Sequence, residues 1–269
     1  MKRTRSQNCR VSRNKRLDKN GDYFSLKVIE FKAARIIRPG SFVHVRVTEA
    51  VDPLFRRAFS VADFDPADGE LEIIYKVVGR GTSILARKKK GDRLDIIGPL
   101  GNSFSRLTKA KTAVIVAGGV GFPPLYFLAK HLVDGGHDPG KIAFFYGGRT
   151  RDDLVEMKRI RALGVEFFPC TDDGSYGFHG FVTQACGEHL AQLNGEKAFV
   201  WGCGPEPMLA ALQEMALEKG FRGEVSLEDP MPCGIGVCLG CIKPTYDNPK
   251  KYVRVCYEGP VFKLGEVKI

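Results

Sequence analysis

The sequence predicts a multidomain protein of mixed β and α/β class, with an antiparallel β-barrel first, a parallel-sheet α/β domain second and a small module last. Three observations predict this order. Residues 7 to 105 are short β-rich runs separated by turn signals, and residues 111 to 224 alternate buried strands with helices. Beyond residue 225, four cysteines are crowded together. We place the domains at 1–107, 108–224 and 225–269.

Composition and charge narrow the class of protein. The chain has 269 residues, 43% hydrophobic and 27% charged, which excludes a disordered, collagen-like or coiled-coil chain. Its net charge of +10 suggests binding to nucleic acid. Eight basic residues and one acid lie within the first twenty residues, so seven of the ten net charges are there. Because the positive charge is confined to one segment, nucleic-acid binding is less favoured. The most apolar stretch, 113–133, is broken by glycine and proline, so we expect no transmembrane helix. We also expect no export leader, because no apolar region follows the basic start, although an Arg-rich transit peptide is a less favoured alternative.

In the first domain, short strands at regular spacing favour a barrel or sandwich. The expected strands are Tyr23–Phe31, Ser41–Val47, Ala58–Asp63, Leu71–Val78 and Asp92–Ile97. Arg57-Ala58-Phe59-Ser60 opens one strand, and the loop from Gly79 to Ser83 can place amides and a hydroxyl around a pyrophosphate. A solvent-facing arginine and an ordinary glycine turn explain the same residues without a ligand. Residues 98–102 are expected to form a tight turn between domains.

The second domain alternates strands and helices, as βαβ units do. We expect strands Thr112–Val116, Ile142–Tyr146, Val165–Pro169 and Lys197–Trp201, and helices Pro124–Val133, Asp152–Leu163 and Pro205–Lys219. Gly118, Gly119 and Gly121 lie between a strand and a helix, where a dinucleotide phosphate loop belongs in a Rossmann-like fold, although a plain turn remains an alternative. Cys203 begins a second turn of this kind.

The crowded cysteines have metal-ligand spacing. Cys233, Cys238 and Cys241 form C-x4-C-x2-C, and Cys256 follows after fourteen residues. This is the plant-type spacing for a [2Fe–2S] cluster, whereas zinc sites usually pair two C-x(2–4)-C knuckles. We therefore favour the cluster, with zinc and unliganded thiols as the alternatives. A reducing, cytoplasmic location follows. The five histidines have no ligand spacing, so we expect them to be ordinary structural residues.

The order of the motifs carries a family resemblance. R-x-x-S, G-x-G-T, G-P-L-G, G-G-x-G and C-G-P-x-P-M occur in the order of the ferredoxin–NADP reductase superfamily. The cysteine run, T-D-D-G-S at 171–175 and Y-E-G-P-V-F at 257–262 narrow the likeness. Over nearly its whole length the chain resembles the electron-transfer subunits of type B dihydroorotate dehydrogenase.

The resemblance implies FAD on the barrel, NAD as substrate on the second domain and a [2Fe–2S] cluster on the third. It implies a partner, the FMN-containing catalytic subunit of dihydroorotate dehydrogenase, in a heterotetramer with two copies of each. Ser60 would lie near the flavin and Cys203 near the nicotinamide, as catalytic residues. The alternatives are a strand-end cap for Ser60 and a small buried residue in a glycine turn for Cys203. The other cofactor contacts would be Arg57, Ala58, Phe59, Ile74, Tyr75, Lys76, Gly81, Thr82, Gly118, Gly119 and Gly121, with Cys233, Cys238, Cys241 and Cys256 binding iron.

Two departures and three alternatives stay open. Ala58 replaces a proline that is common in the family. Residues 228–232 lack an arginine that the family often has there. We expect this loop to lie at the partner interface, so its departure from the family leaves the identity of the partner open. Residues 149–153 contain both arginines and aspartates, so NAD rather than NADP rests on the resemblance alone. The same module could serve a hydrogenase, a sulfite reductase or a ferredoxin-dependent transhydrogenase. A zinc-stapled nucleic-acid-binding module is the remaining alternative.

Overall fold

A computed structural model describes residues 5–20, 22–32, 37–105, 112–193 and 198–269. Its first sheet contains seven strands, every neighbouring pair of which is antiparallel, in the order β4-β3-β7-β1-β2-β6-β5. The strands are β1 (Arg5–Arg16), β2 (Tyr23–Ile29), β3 (Phe42–Arg46), β4 (Arg57–Ser60), β5 (Asp63–Asp65), β6 (Glu70–Lys76) and β7 (Arg93–Leu100), and the helix α1 (Arg80–Ala86) follows β6.

The sheet curls into the predicted barrel. Its two edge strands, β4 and β5, are separated along the chain by only Val61 and Ala62, so the sheet must bend round until its edges meet. The N–H of Ala62 donates to the carbonyl of Glu72 on β6 at 2.9 Å. The predicted strand over 58–63 is therefore two strands that face different neighbours.

The basic amino-terminal segment is an interior strand rather than a solvated edge. β1 pairs with β7 on one side and β2 on the other. Cys9 and Val11 are fully buried, while Arg10, Arg13 and Lys15 are exposed. The alternation is that of a half-buried strand, and its charged face obscured the strand in the sequence.

The second sheet has the predicted parallel, Rossmann-like order, β11-β10-β9-β8-β12-β13. Its strands are β8 (Thr112–Gly118), β9 (Ile142–Gly148), β10 (Glu166–Thr171), β11 (Phe178–His179), β12 (Ala198–Cys203) and β13 (Arg222–Ser226). Its helices are α2 (Phe122–Asp134), α3 (Met157–Arg161), α4 (Val182–Gln192) and α5 (Glu206–Lys219). Lys197, predicted to begin a strand, lies outside the described residues. Among the described helices, none combines the length and apolar character needed to cross a membrane.

Two predictions for helices need correction. The helix predicted over 152–163 is a 3-10 turn, Arg151–Asp153, followed by the short α3, because Glu156 between them has a φ of +57°. α4 was not predicted. Gly98 to Leu100, expected in a turn, complete β7, and the turn begins only at Gly101.

The cysteine module is bracketed by strands of the second sheet. After β13 come the cysteine loop, β14 (Ile242–Pro244), β15 (Tyr252–Arg254) and β16 (Val261–Lys263). β14 pairs with β15, and β16 returns to pair antiparallel with β13. The predicted boundary at 224/225 thus falls within β13, and the division into three domains remains a prediction.

Buried polar contacts join the barrel to the second sheet. Arg159 on α3 donates two hydrogen bonds of 2.9 Å to Glu72 on β6, and Lys130 on α2 donates to Asp63 on β5 at 2.7 Å. The fork geometry of the arginine–carboxylate pair fixes orientation as well as distance. The floor of the cleft between the two sheets is therefore held in one arrangement.

Candidate active site

The first cavity of the site, here called the barrel cavity, has a volume of about 690 Å³. It lies between β4, β6 and the segment that follows β13, and its size suits a cofactor. Most of the predicted flavin contacts converge on it because β4 and β6 approach each other where the barrel closes, with the rings of Phe59 and Tyr75 5.6 Å apart. The predicted residues that line it are Arg57, Ala58, Phe59, Ser60, Ile74, Tyr75, Lys76 and Thr82.

Arg57 belongs to β4, but its side chain lies against the start of α1, where Gly81 leaves room for it. A Cβ at Gly81 would stand 2.8 Å from the guanidinium Nε, so a side chain there would displace the arginine. Gly81 does not itself line the barrel cavity. The Thr82 hydroxyl accepts from the N–H groups of Val78 (3.0 Å) and Gly79 (3.2 Å), which makes the turn rigid. A fixed cation beside helical N–H groups is suited to an anionic group.

The second cavity, here called the sheet-edge cavity, has a volume of about 580 Å³. It lies at the carboxyl ends of β8, β9, β10 and β12, where doubly wound folds bind nucleotides. Gly118 and Gly119, the predicted nucleotide contacts, line it. Sequence reasoning did not assign Asp172 or Thr183, which also line it. Asp172 directly follows β10, a position that could have identified it.

Gly121 supports this cavity without lining it. A Cβ at Gly121 would stand 2.2 Å from the carbonyl oxygen of Cys203, and one at Gly118 would stand 2.6 Å from the sulfur of Met208. The two predicted glycine turns therefore pack directly against each other. The glycines permit this close approach of backbones.

The two cavities meet at Lys76, Val120 and Glu228, which line both. Lys76 Nζ lies 3.2 Å from Asp153, whose carboxylate also accepts from the hydroxyl of Tyr23 at 3.2 Å. Within the described residues no side chain pairs with the carboxyl group of Glu228. Surrounding protein atoms desolvate this carboxyl group and raise its pKa. A flavin ring in the barrel cavity and a nicotinamide ring in the sheet-edge cavity would therefore meet beside the carboxyl group of Glu228.

The segment 228–232, for which a partner interface remains a prediction, also lines the barrel cavity. It runs from Glu228, at the junction, to Pro232, directly before the first clustered cysteine. No signal within the segment itself pointed to this role. Only the path of the chain beyond β13 places it there.

The two predicted catalytic residues lie in different surroundings. Ser60 is half-buried and lines the barrel cavity. The side chain of Cys203 is fully buried at the end of β12 and lines neither described cavity. Burial, with Glu228 nearby, raises the pKa of the Cys203 thiol. The catalytic role of each residue remains a prediction.

The four clustered cysteines act on one another. The short-range interactions pair Cys233 with Cys238 and Cys256 with Cys241, and a charge interaction links Cys233 to Cys256. Nowhere in the described ranges do three His, Cys, Asp or Glu side chains converge closely enough for one metal ion. Tetrahedral zinc would require all four thiolates around one ion, whereas two linked irons take two thiolates each. The pairing fits a binuclear cluster.

Backbone N–H groups surround these sulfurs. Burial acts most strongly on Cys233 and opposes its ionisation, but the N–H groups of Cys238, Ile235 and Val237 lower its pKa to about 6. Burial raises the pKa of Cys256 to about 12. The Sγ of Cys238 and that of Cys241 each accept from an amide at 3.4 Å. Donors aimed at the sulfurs suit thiolates that carry the negative charge of a cluster.

Family models and relatives agree with this geometry. The models matched are an oxidoreductase FAD-binding domain (residues 8–104), an oxidoreductase NAD-binding domain (115–214) and the iron-sulfur cluster binding domain of dihydroorotate dehydrogenase B (228–268). The electron transfer subunit of dihydroorotate dehydrogenase B (NAD(+)) from Bacillus velezensis is 40% identical over 236 residues, 87% of this chain and 88% of the relative. The subunit of that name from Geobacillus sp. (strain WCH70) is 39% identical over 260 residues, 96% of each.

Solved structures share the fold. The NADH-dependent reduced ferredoxin-NADP oxidoreductase, a flavin-based electron-bifurcating enzyme, has a chain with a TM-score of 0.83 and 30% identity, covering 97% of this chain and 89% of that one. A ferredoxin NADP+ reductase from Neisseria gonorrhoeae has a TM-score of 0.67 at 16% identity, covering 80% and 92%, which shows the fold alone.

Together, the barrel, the nucleotide-binding sheet and the cysteine module define an iron–sulfur flavoprotein oxidoreductase linked to nicotinamide. The three expected cofactor-binding domains are present. The chain belongs to the family of electron-transfer subunits of NAD(+)-dependent dihydroorotate dehydrogenase B. The resemblance based on the motifs is confirmed.

Proposed function

We propose that this chain passes electrons from a partner dihydroorotate dehydrogenase FMN subunit, through a [2Fe–2S] cluster and FAD, to NAD+ in pyrimidine biosynthesis. One observation carries the proposal. The segment from Glu228 to Cys233 touches all three sites, because Glu228 lines both cavities, Pro232 lines the barrel cavity and Cys233 begins the cysteine loop.

Flavin is the group suited to the middle position, since nicotinamide exchanges two electrons as hydride while an iron–sulfur centre exchanges one. The chain's own residues then bind and orient. Arg57 and the first turn of α1 would hold the FAD pyrophosphate, and Phe59 with Tyr75 would form an apolar wall of the barrel cavity. Ser60 would donate a hydrogen bond to the flavin ring. Cys203 would contribute to the nicotinamide site through the backbone of its turn.

We infer that the nucleotide is NAD rather than NADP. Asp172 lines the sheet-edge cavity directly after β10. A carboxylate there can accept from ribose hydroxyls and would repel a 2′-phosphate. Arg149 also lines the cavity, and the relatives named for NAD(+) support the assignment of NAD.

The partner would dock on the cysteine loop. Ile235, Val237 and Leu239 are exposed there although they are apolar, and Tyr257 beside them is 59% exposed. Contiguous exposed apolar residues are typical of an interaction surface. We retain two further parts of the proposal, a heterotetramer with two copies of each subunit and a cytoplasmic location, the latter because eight thiols call for a reducing compartment.

Anaerobic spectroscopy on the purified holoprotein tests this route. We expect NADH to bleach the flavin absorbance first and then to produce the electron paramagnetic resonance (EPR) signal of a reduced [2Fe–2S] cluster. With the co-expressed FMN subunit, dihydroorotate should reduce NAD+. A cluster that NADH leaves oxidised, or a complex that forms no NADH from dihydroorotate, would refute the proposal.

A second candidate keeps the cofactors and changes the partner. Among the alternatives, the TM-score of 0.83 to a chain of the NADH-dependent reduced ferredoxin-NADP oxidoreductase favours a ferredoxin-dependent transhydrogenase over a hydrogenase or a sulfite reductase. Cluster reduction by NADH together with failure to use dihydroorotate would select this alternative.

A further inference from the structure

A buried histidine in the barrel has no hydrogen-bond partner. His44 on β3 is fully buried, and among the described residues neither Nδ1 nor Nε2 has a partner. Its neighbours in the strand, Val43 and Val45, are also fully buried. A buried polar group left unpaired destabilises the folded state, so an apolar residue would suit the strand better unless the imidazole has a role.

The imidazole packs against the cysteine loop. A Cβ at Gly234 would stand 2.7 Å from Nδ1 of His44, so the ring occupies the space that a side chain at 234 would need. The backbone carbonyl groups of Met231 and Cys233 lie close enough to interact with the ring, although neither meets hydrogen-bond geometry. An imidazole N–H is thus within a small movement of two acceptors.

These contacts lie between two of the proposed redox sites. Met231 and Pro232 line the barrel cavity, and Cys233 is the next residue. Phe42, two residues before His44 on β3, lines the same cavity. A side chain that fixes the turn at 231–234 would therefore fix the first cysteine relative to the flavin cavity.

We propose that His44 is a positioning residue for electron transfer. With the cluster bound, its single ring N–H donates to one backbone carbonyl of the Met231–Cys233 turn and holds Cys233 at a set distance from the flavin. This role differs from the expectation that every histidine is an ordinary structural residue, and it rests on the proposed function.

The test uses His44→Phe, which keeps a ring and removes the N–H, beside His44→Asn and His44→Gln, which return a donor near Nδ1 or Nε2. We expect His44→Phe to retain FAD and to show an altered EPR spectrum of the reduced cluster. NADH-driven cluster reduction should slow roughly tenfold, the effect of losing an outer-shell hydrogen bond. At least one amide variant should restore both properties.

His189→Phe is the matched control. His189 also has an unpartnered ring nitrogen, but it packs against Phe145 and Phe168 in the second sheet. This variant should leave the EPR spectrum and the reduction rate unchanged. A His44→Phe protein with the wild-type spectrum and rate overturns the proposal.

Two further outcomes decide the remaining cases. If His44→Phe loses the cluster while an amide variant keeps it, the N–H is required and the proposal stands. If all three variants lose it, packing alone explains the residue and the proposal fails. Dithionite reduction gives the EPR spectrum without NADH, so His44 can be judged even if the proposed route from NADH is wrong.

Discussion

Two charged residues in the site acquire their importance from what surrounds them. Arg57 approaches the turn before α1 only because residue 81 is glycine. Glu228 lies where the barrel cavity and the sheet-edge cavity meet, without a partner side chain among the described residues. The first was predictable from a motif. The second was not, because no motif marks a residue whose role depends on two cavities meeting.

Replacement of Arg57 by leucine should weaken FAD binding. A hydrogen bond to a charged group contributes about 1.5–3 kcal/mol, which corresponds to a roughly 10- to 100-fold rise in Kd. Fluorescence titration of the apoprotein with FAD measures it. Arg57→Lys should fall between, since it keeps the charge without the fork. Arg13→Leu, on the exposed face of β1, should bind FAD normally, and equal affinity in Arg57→Leu would contradict the assigned role.

Glu228 should make NAD+ binding depend on pH. Protein atoms around the junction desolvate its carboxyl group and raise its pKa, so the group stays protonated to a higher pH than usual and becomes charged as pH rises through that value. Only the oxidised nicotinamide carries a positive charge, so the affinity for NAD+ relative to NADH should increase with pH in the wild type.

Glu228→Gln should remove that pH dependence, and above the pKa of the wild-type carboxyl group it should weaken NAD+ binding more than NADH binding. Titrations of both nucleotides across pH measure it. Glu188→Gln, an exposed carboxyl group on α4, serves as control and should retain the wild-type profile. A pH profile that survives in Glu228→Gln would assign the ionisation to another group.

At the scale of elements, the sequence predicted periodic segments well and interrupted ones poorly. β8, β9 and α5 follow their hydrophobic patterns closely. β1 was missed because its exposed face carries the basic residues, and the helix predicted over 152–163 is divided at Glu156, whose left-handed backbone no pattern reveals. Element boundaries depend on tertiary contacts that a local pattern does not contain.

Gly121 tests the packing of α2 against the end of β12. In Gly121→Ala the new methyl group would meet the backbone of Cys203 at 2.2 Å, and backbone atoms cannot move aside as a flexible side chain can. We expect a loss of about 1–3 kcal/mol or more in the free energy of unfolding, with weaker NADH binding. Urea unfolding measures the change in the free energy of unfolding.

Gly140→Ala is its control, because only an aspartate oxygen lies near, at 3.5 Å. We expect a change within about 0.5 kcal/mol for this exposed position. Equal stability of the two variants would mean that the close approach of the glycine turns is not required.

For the whole molecule, linear motifs predicted which sites exist, and folding decided how they are connected. The four cysteines and the residues 57–60 could be identified because short spacing carries their chemistry. The junction brings together Lys76, Val120 and Glu228, which are far apart in sequence. Such a set follows only from the orientation of the barrel on the second sheet, which pairs such as Arg159–Glu72 maintain.

The exposed cysteine loop should govern assembly and leave internal electron transfer intact. Val237→Asp places a charge on an exposed apolar residue, so we expect roughly tenfold weaker binding of the FMN subunit while NADH still reduces FAD and the cluster. Analytical size exclusion and EPR measure the two effects. Val51→Asp, at 79% exposure against 74% for Val237, should bind the partner normally. Loss of binding in both variants would argue against a specific surface.

The pairing of β16 with β13 limits how the cysteine module can move. The chain leaves the second sheet after β13 and returns to it at β16, so both ends of the cysteine loop are anchored at the same edge. The loop therefore has no single hinge about which to rotate, and a change within it leaves the strands of the nucleotide-binding sheet in place.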